Sequence, residues 1–180
     1  MKATGIVRRI DDLGRVVIPK EIRRTMRIRE GDPLEIYTDK DGEVIFKKYS
    51  LMGGLGDFSN QLCETLYKTT GHATIITDRD TILSVAGAPR RELLDCQISL
   101  PLETILEGRQ IYQYRSGDPR VALTEGNTNL VVYTAAPILS QGDVIGCVIF
   151  AADPSTLPMG ETEYKLVQTV SGFLGRHMES

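Results

Sequence analysis

The 180-residue chain carries 21 Lys+Arg against 24 Asp+Glu and is 41% hydrophobic, ordinary globular proportions that exclude wholesale disorder. No stretch approaches the roughly 18 consecutive apolar residues of a membrane span, and Met1-Lys2-Ala3-Thr4 lacks the apolar core of a signal peptide, so the sequence predicts a cytosolic protein without a membrane partner. The net charge of -3 hides a division: residues 1–50 hold 12 bases against 9 acids and residues 51–180 hold 9 against 15, so one end is suited to a polyanion.

Residues 4–10 read as a strand, followed by a turn at Asp11-Asp12-Leu13-Gly14. The β-branched run Arg15-Val16-Val17-Ile18 is a second strand, ended by Pro19, which fits the first turn of a helix. Residues 20–27 form that helix, with Ile22 and Met26 on one face and Arg23, Arg24 and Arg27 pointing elsewhere. Two more strands, 34–38 and 43–48, are joined across Asp39-Lys40-Asp41-Gly42, whose Asp-Gly favours a hairpin. Four strands and one short helix in fifty residues bury too little surface to stand alone, and neither disulfide nor metal is available. Ile6, Val7, Ile10, Val16, Val17, Ile18, Ile36, Val44 and Phe46 are more apolar residues than one small sheet can cover, which predicts an obligate dimer.

Residues 51–56, with three glycines, read as a linker between a first domain, 1–50, and a second, 57–180. Leu55, Phe58, Leu62 and Leu66 recur at helical spacing until Gly71. Strands follow at 73–77 and 81–85, then helical segments at 91–94 and 102–106, strands at 129–139 and 144–152, and a final helix at 161–178. This order predicts an α+β domain, an antiparallel sheet with helices on one face. Val170, Phe173 and Leu174 make a broad apolar arc on the last helix, wide enough to pack on both its own sheet and a second subunit. They are the candidate oligomerisation residues.

Chemistry-bearing motifs are sparse. Cys63, Cys96 and Cys147 form no C-x-x-C pair and read as buried apolar fillers. His72 opens a strand and His177 sits near a helix C-terminus, where a cation is favoured. No Walker loop, H-E-x-x-H or G-x-S-x-G is present, and the sequence predicts neither an enzyme nor a metal or cofactor site.

The run Leu13-Gly14-Arg15-Val16-Val17-Ile18-Pro19, together with the residues before it and Leu34-Glu35-Ile36-Tyr37, strongly resembles the AbrB family of transition-state regulators. The length, and the segments Met159-Gly160-Glu161 and Gly172-Phe173-Leu174, are similar to its two-domain members, and residues 51–180 resemble them more loosely. The resemblance implies an all-β swapped-hairpin dimer domain with one short helix, followed by a GAF-like α+β domain. It implies that Arg8, Arg15, Arg23 and Arg24 contact DNA; Lys2 and Arg9 join them on charge and position. Arginine's fork of donors suits phosphate oxygens. Such regulators read double-stranded DNA, A·T-rich with a weak consensus, through shape and flexibility, and activate some sporulation genes while repressing others. The resemblance further implies a nucleoid-associated homodimer through the N-terminal domain and a homotetramer through the GAF-like domain. That domain either takes a small-molecule effector or is a pairing module with a vestigial pocket. The alternative function is an antitoxin of a toxin–antitoxin pair, which uses the same DNA-binding fold but carries a short flexible tail in place of about 130 foldable residues.

Overall fold

A computed structural model describes residues 4–179, which divide into two compact units, Met1–Tyr49 and Ser50–Ser180. No described helix is long and apolar enough to cross a membrane.

In the first unit, α1 (Lys20–Thr25) follows Pro19, and β1 (Leu34–Thr38) pairs antiparallel with β2 (Val44–Lys48). The helix is shorter than its 20–27 expectation. Arg27 takes a left-handed φ of 50°, and the N–H groups of Arg27 and Ile28 donate to the carbonyls of Arg24 and Arg23. This is the Schellman stop, with arginine where glycine is usual. Met26 is consequently exposed and does not share a buried face with Ile22.

Residues 4–10 and 15–18, read as strands, have no strand partner among the described residues. A strand needs a ladder, and one copy of this unit supplies only the β1–β2 pair. Their side chains are correspondingly bare: Val7 is 89% exposed and Val17 68%, while Ile36 on β1 is 62%. Pro19 is the one buried residue among residues 4–49.

The second unit has a true core. Its six-stranded antiparallel sheet runs β4 (Ile82–Ala86), β3 (Ala73–Asp78), β8 (Asp143–Ala152), β7 (Asn127–Ser140), β5 (Tyr112–Gln113), with β6 (Ala122–Thr124) also along β7. On one face lie α2 (Gly56–Thr70) and α5 (Glu161–His177), and on the other α3 (Arg90–Leu93) and α4 (Leu100–Glu107). Helices therefore cover both faces, correcting the one-face expectation. The reason lies in β8: Val148 and Phe150 pack toward α2 and α5, Cys147, Ile149 and Ala151 toward α3 and α4, and the strand is an unbroken apolar run because neither face meets water.

Residues 51–56 are built into this unit: Gly53–Leu55 form a 3-10 turn, Met52 is fully buried in the core, and Gly56 already starts α2. Gly71 ends α2 at φ 75° as a left-handed cap. Cys63 and Cys147 are buried, and burial pushes the Cys63 thiol up to about 12. Cys96 departs from the filler expectation: it is half-exposed, its thiol 3.1 Å from the Glu92 carbonyl.

Helix α5 approaches β7 so closely that a Cβ on Gly175 would overlap the Leu139 carbonyl oxygen. Helix propensity alone favours Gly175→Ala by about 1 kcal/mol. Overpacking against backbone costs about 1–3 kcal/mol and decides the sign. The urea midpoint of Gly175→Ala should therefore fall with an unchanged slope; a rise would show that the helix moves away freely.

Candidate nucleic-acid interface

The arginines of the first unit separate into three states. Arg15 is pinned in the turn after residue 10. Asp11 N–H donates to the Arg15 carbonyl at 3.0 Å, and Gly14 crosses the bend at φ 74°. The Asp11 carboxylate organises this turn, since Oδ1 accepts from the backbone N–H of Leu13 at 3.0 Å and of Arg15 at 2.7 Å. Its Oδ2 accepts from Arg15 Nε at 2.8 Å. These bonds, first the backbone N–H of Arg15 and then its guanidinium, hold the Asp11 carboxyl below the usual carboxylate range.

A second group is bound up in the unit's own architecture. The side chain of Asp32 is only 5% exposed, and its Oδ2 accepts from Arg29 N–H at 2.8 Å. The same oxygen lies 4.0 Å from Arg29 Nη1 and 3.9 Å from Lys48 Nζ. Lys48 also donates to the Arg27 carbonyl at 2.7 Å, tying the segment after α1 to β2. Lys47 is held over the Tyr37 ring, 4.6 Å from its centroid.

Arg8, Arg9, Arg23 and Arg24 form the third group, without an ion pair among the described residues. Arg8 and Arg9 project from the bare extended segment, and Arg23 and Arg24 occupy the last turn of α1. Lys2 lies outside the described residues. Guanidinium groups whose donors are not spent on an acid are suited to phosphate oxygens. Asp11 was not among the candidates; its signal in the sequence was an acid four residues before an arginine, across a Gly-containing turn.

The oligomerisation candidates are not equivalent. Leu174 is fully buried against its own sheet and cannot reach a partner, because its place on α5 faces the core beside Val167. Val170 is half-buried, and Phe173 is 51% exposed. Phe173 belongs to an aromatic patch spanning α2 and α5: the Phe58 ring lies 6.0 Å from Phe173 and 5.3 Å from His177, and Phe173 lies 6.1 Å from His177. The other histidine, His72, stands with Nε2 3.4 Å from Glu163 Oε1, joining β3 to the start of α5.

Comparison with known proteins places both units. The family model described as "Stage V sporulation protein T C-terminal, transcription factor" matches residues 54–179, and "Antidote-toxin recognition MazE, bacterial antitoxin" matches residues 7–51. Stage V sporulation protein T of Bacillus subtilis (strain 168) is 51% identical over 180 residues, covering 99% of this chain and 99% of that one. The transition state regulatory protein AbrB of the same organism is 43% identical over 88 residues, 49% of this chain and 82% of the relative. A crystal structure of a GAF domain/HD domain protein from Geobacter sulfurreducens matches at a TM-score of 0.52 and 20% identity, covering 69% of this chain and 91% of that one, and shows a GAF-type fold for the second unit.

Proposed function

The chain belongs to the family of stage V sporulation protein T, a family of transcription factors, and from that premise we propose how it engages DNA. It is a DNA-binding regulator of sporulation genes, activating some and repressing others. Two first units interleave their bare strands into one dimeric body, and Arg8, Arg9, Arg23 and Arg24 of each protomer contact phosphates of an A·T-rich duplex. The single observation that carries this reading is the co-location, in one unit with a net excess of bases, of Arg8, Arg9, Arg23 and Arg24, which have no ion pair among the described residues, and uncovered apolar strand residues. The second units pair through α2 and α5 to make the tetramer.

A salt titration tests the phosphate role. Each phosphate contact contributes about 0.9 to the slope of log affinity against log salt. Arg23→Ala should flatten the slope by about two per dimer, with affinity falling evenly across sequences. An unchanged slope would sink the assignment, and a dimer that falls apart would make Arg23 structural.

The GAF-type fold supports an effector role for the second unit. Among the described residues, Thr77 Oγ1 and Tyr112 OH are buried without a hydrogen-bond partner. Thr77 and Tyr112 stand opposite Cys147 and Ala135, which pack toward α3 and α4. A polar effector bound there would satisfy such groups. The antitoxin alternative is the less favoured, because its toxin-binding segment is an extended tail and this chain has a sheet with two apolar cores in that place.

A further inference from the structure

We propose that Arg15 reads a base edge while the other arginines hold phosphates, and that Asp11 is the residue that positions it. The inference rests on the DNA-binding reading above and divides the labour within it. An ordinary exposed Arg–Asp pair contributes little, because two long side chains must be ordered in high dielectric. Asp11 differs in that its carboxylate is already fixed by two backbone N–H groups of its own turn. It is a rigid buttress, and Arg15 Nε rests on it at 2.8 Å.

The consequence for the guanidinium is geometric. With Nε occupied, the Nη1–Nη2 edge remains, with no further partner among the described residues, on a side chain 69% exposed. Two parallel donors at fixed orientation match the O6 and N7 acceptors that guanine presents in the major groove. The electrostatics point the same way. A carboxylate in contact with Arg15 offsets its positive charge and repels phosphate oxygens, so Arg15 is the poorest phosphate clamp of the set. A base edge carries no net charge and tolerates the neighbouring acid. Arg8, Arg9, Arg23 and Arg24 lack any such partner among the described residues.

Asp11→Asn isolates the buttress, since the amide oxygen still accepts from Leu13 and Arg15 N–H while the charge facing Nε is removed. The experiment uses the full chain and a duplex selected by it from a random-sequence pool, in which each guanine is exchanged in turn for 7-deazaguanine. Loss of N7 at one position per half-site removes one of the two acceptors and should weaken binding several-fold, with about 150-fold, the worth of the whole bidentate contact, as the ceiling. Arg15→Ala, which removes every donor, should bind the guanine and 7-deazaguanine duplexes equally. Asp11→Asn, with one more net positive charge per chain, should bind mixed-sequence duplex more tightly at low salt while losing several-fold in discrimination. In an Arg15→Ala background the same change should leave discrimination untouched. Arg15→Ala retaining full discrimination would take base reading away from Arg15 and overturn the proposal. Asp11→Asn retaining it would reduce Asp11 to a turn residue, and a selected duplex indifferent to 7-deazaguanine would remove base reading altogether. Failure of the unsubstituted chain to bind any duplex would instead overturn the DNA-binding reading itself.

Discussion

A fragment covering Met1–Tyr49 should sediment as a folded dimer whose melting temperature rises with protein concentration. The expectation follows from the absence of a core: one copy leaves Val7, Ile10, Val17, Ile36, Val44 and Phe46 exposed and buries only Pro19 among residues 4–49. Covering one large apolar side chain is worth about 1.5–3 kcal/mol. Six such residues per protomer, twelve in a pair, far exceed the few kcal/mol by which small domains are stable. Folding and association are then one event, and stability depends on concentration by mass action. Ile36 and Phe46 stand opposite each other on β1 and β2 and form the centre of the uncovered face. Phe46→Asp places a charge there in both protomers, so the variant fragment should be unfolded at every accessible concentration, and the full-length variant should lose DNA binding while its second unit stays folded. A fragment that is monomeric and folded would refute the interleaved pairing.

How far the sequence led depends on where the information for each element resides. Helix α2 and its cap at Gly71 were legible because an apolar period and a left-handed glycine are local signals. The β1–β2 hairpin was legible for the same reason, through Asp41-Gly42 and Gly42 at φ 83°. The short strands β5 and β6 were not, because two or three residues carry no period and their place is set by distant partners. Gln113 donates to the carbonyls of Met159 and Gly160, and Arg120 lies over the Tyr114 ring at 3.8 Å while donating to the Pro154 carbonyl at 2.6 Å. Residues 51–56 misled through composition: their glycines suggest freedom, but the burial of Met52 anchors the segment. At the candidate site the arginines could be picked out by charge and motif, yet charge could not tell Arg15, resting on Asp11, from Arg23, which has no ion pair among the described residues. Arg29 could be recognised as structural only from its place beside the covered Asp32 carboxylate.

Phe173→Asp should release the tetramer to a dimer without unfolding either unit, and the neighbouring Leu174 explains why the choice of position matters. Both residues fall within the same apolar arc of α5, and spacing alone made them equal candidates. Leu174 is fully buried in its own core, so an aspartate there leaves an unpaired buried charge, and Leu174→Asp should aggregate. Phe173 is half-exposed, and its near contacts are the exposed His177 and the half-buried Phe58, which also packs on the core. Replacing it therefore costs the isolated unit little and costs an association through this patch nearly in full. At about 1.5–3 kcal/mol for each large side chain covered, repeated in every subunit, the loss is sufficient to separate two dimers at micromolar concentration. An aspartate facing its own symmetry mate adds like-charge repulsion to the lost burial. The first units remain paired, since their interface lies on other residues, and the dimer should still occupy a single DNA site. On a duplex with two sites it should lose the gain from linkage, about 10²-fold or more. Light scattering and a two-site binding titration decide the matter together. A variant that stays tetrameric removes the α2–α5 patch from the interface, and one that precipitates with Leu174→Asp shows that the ring belongs to the core.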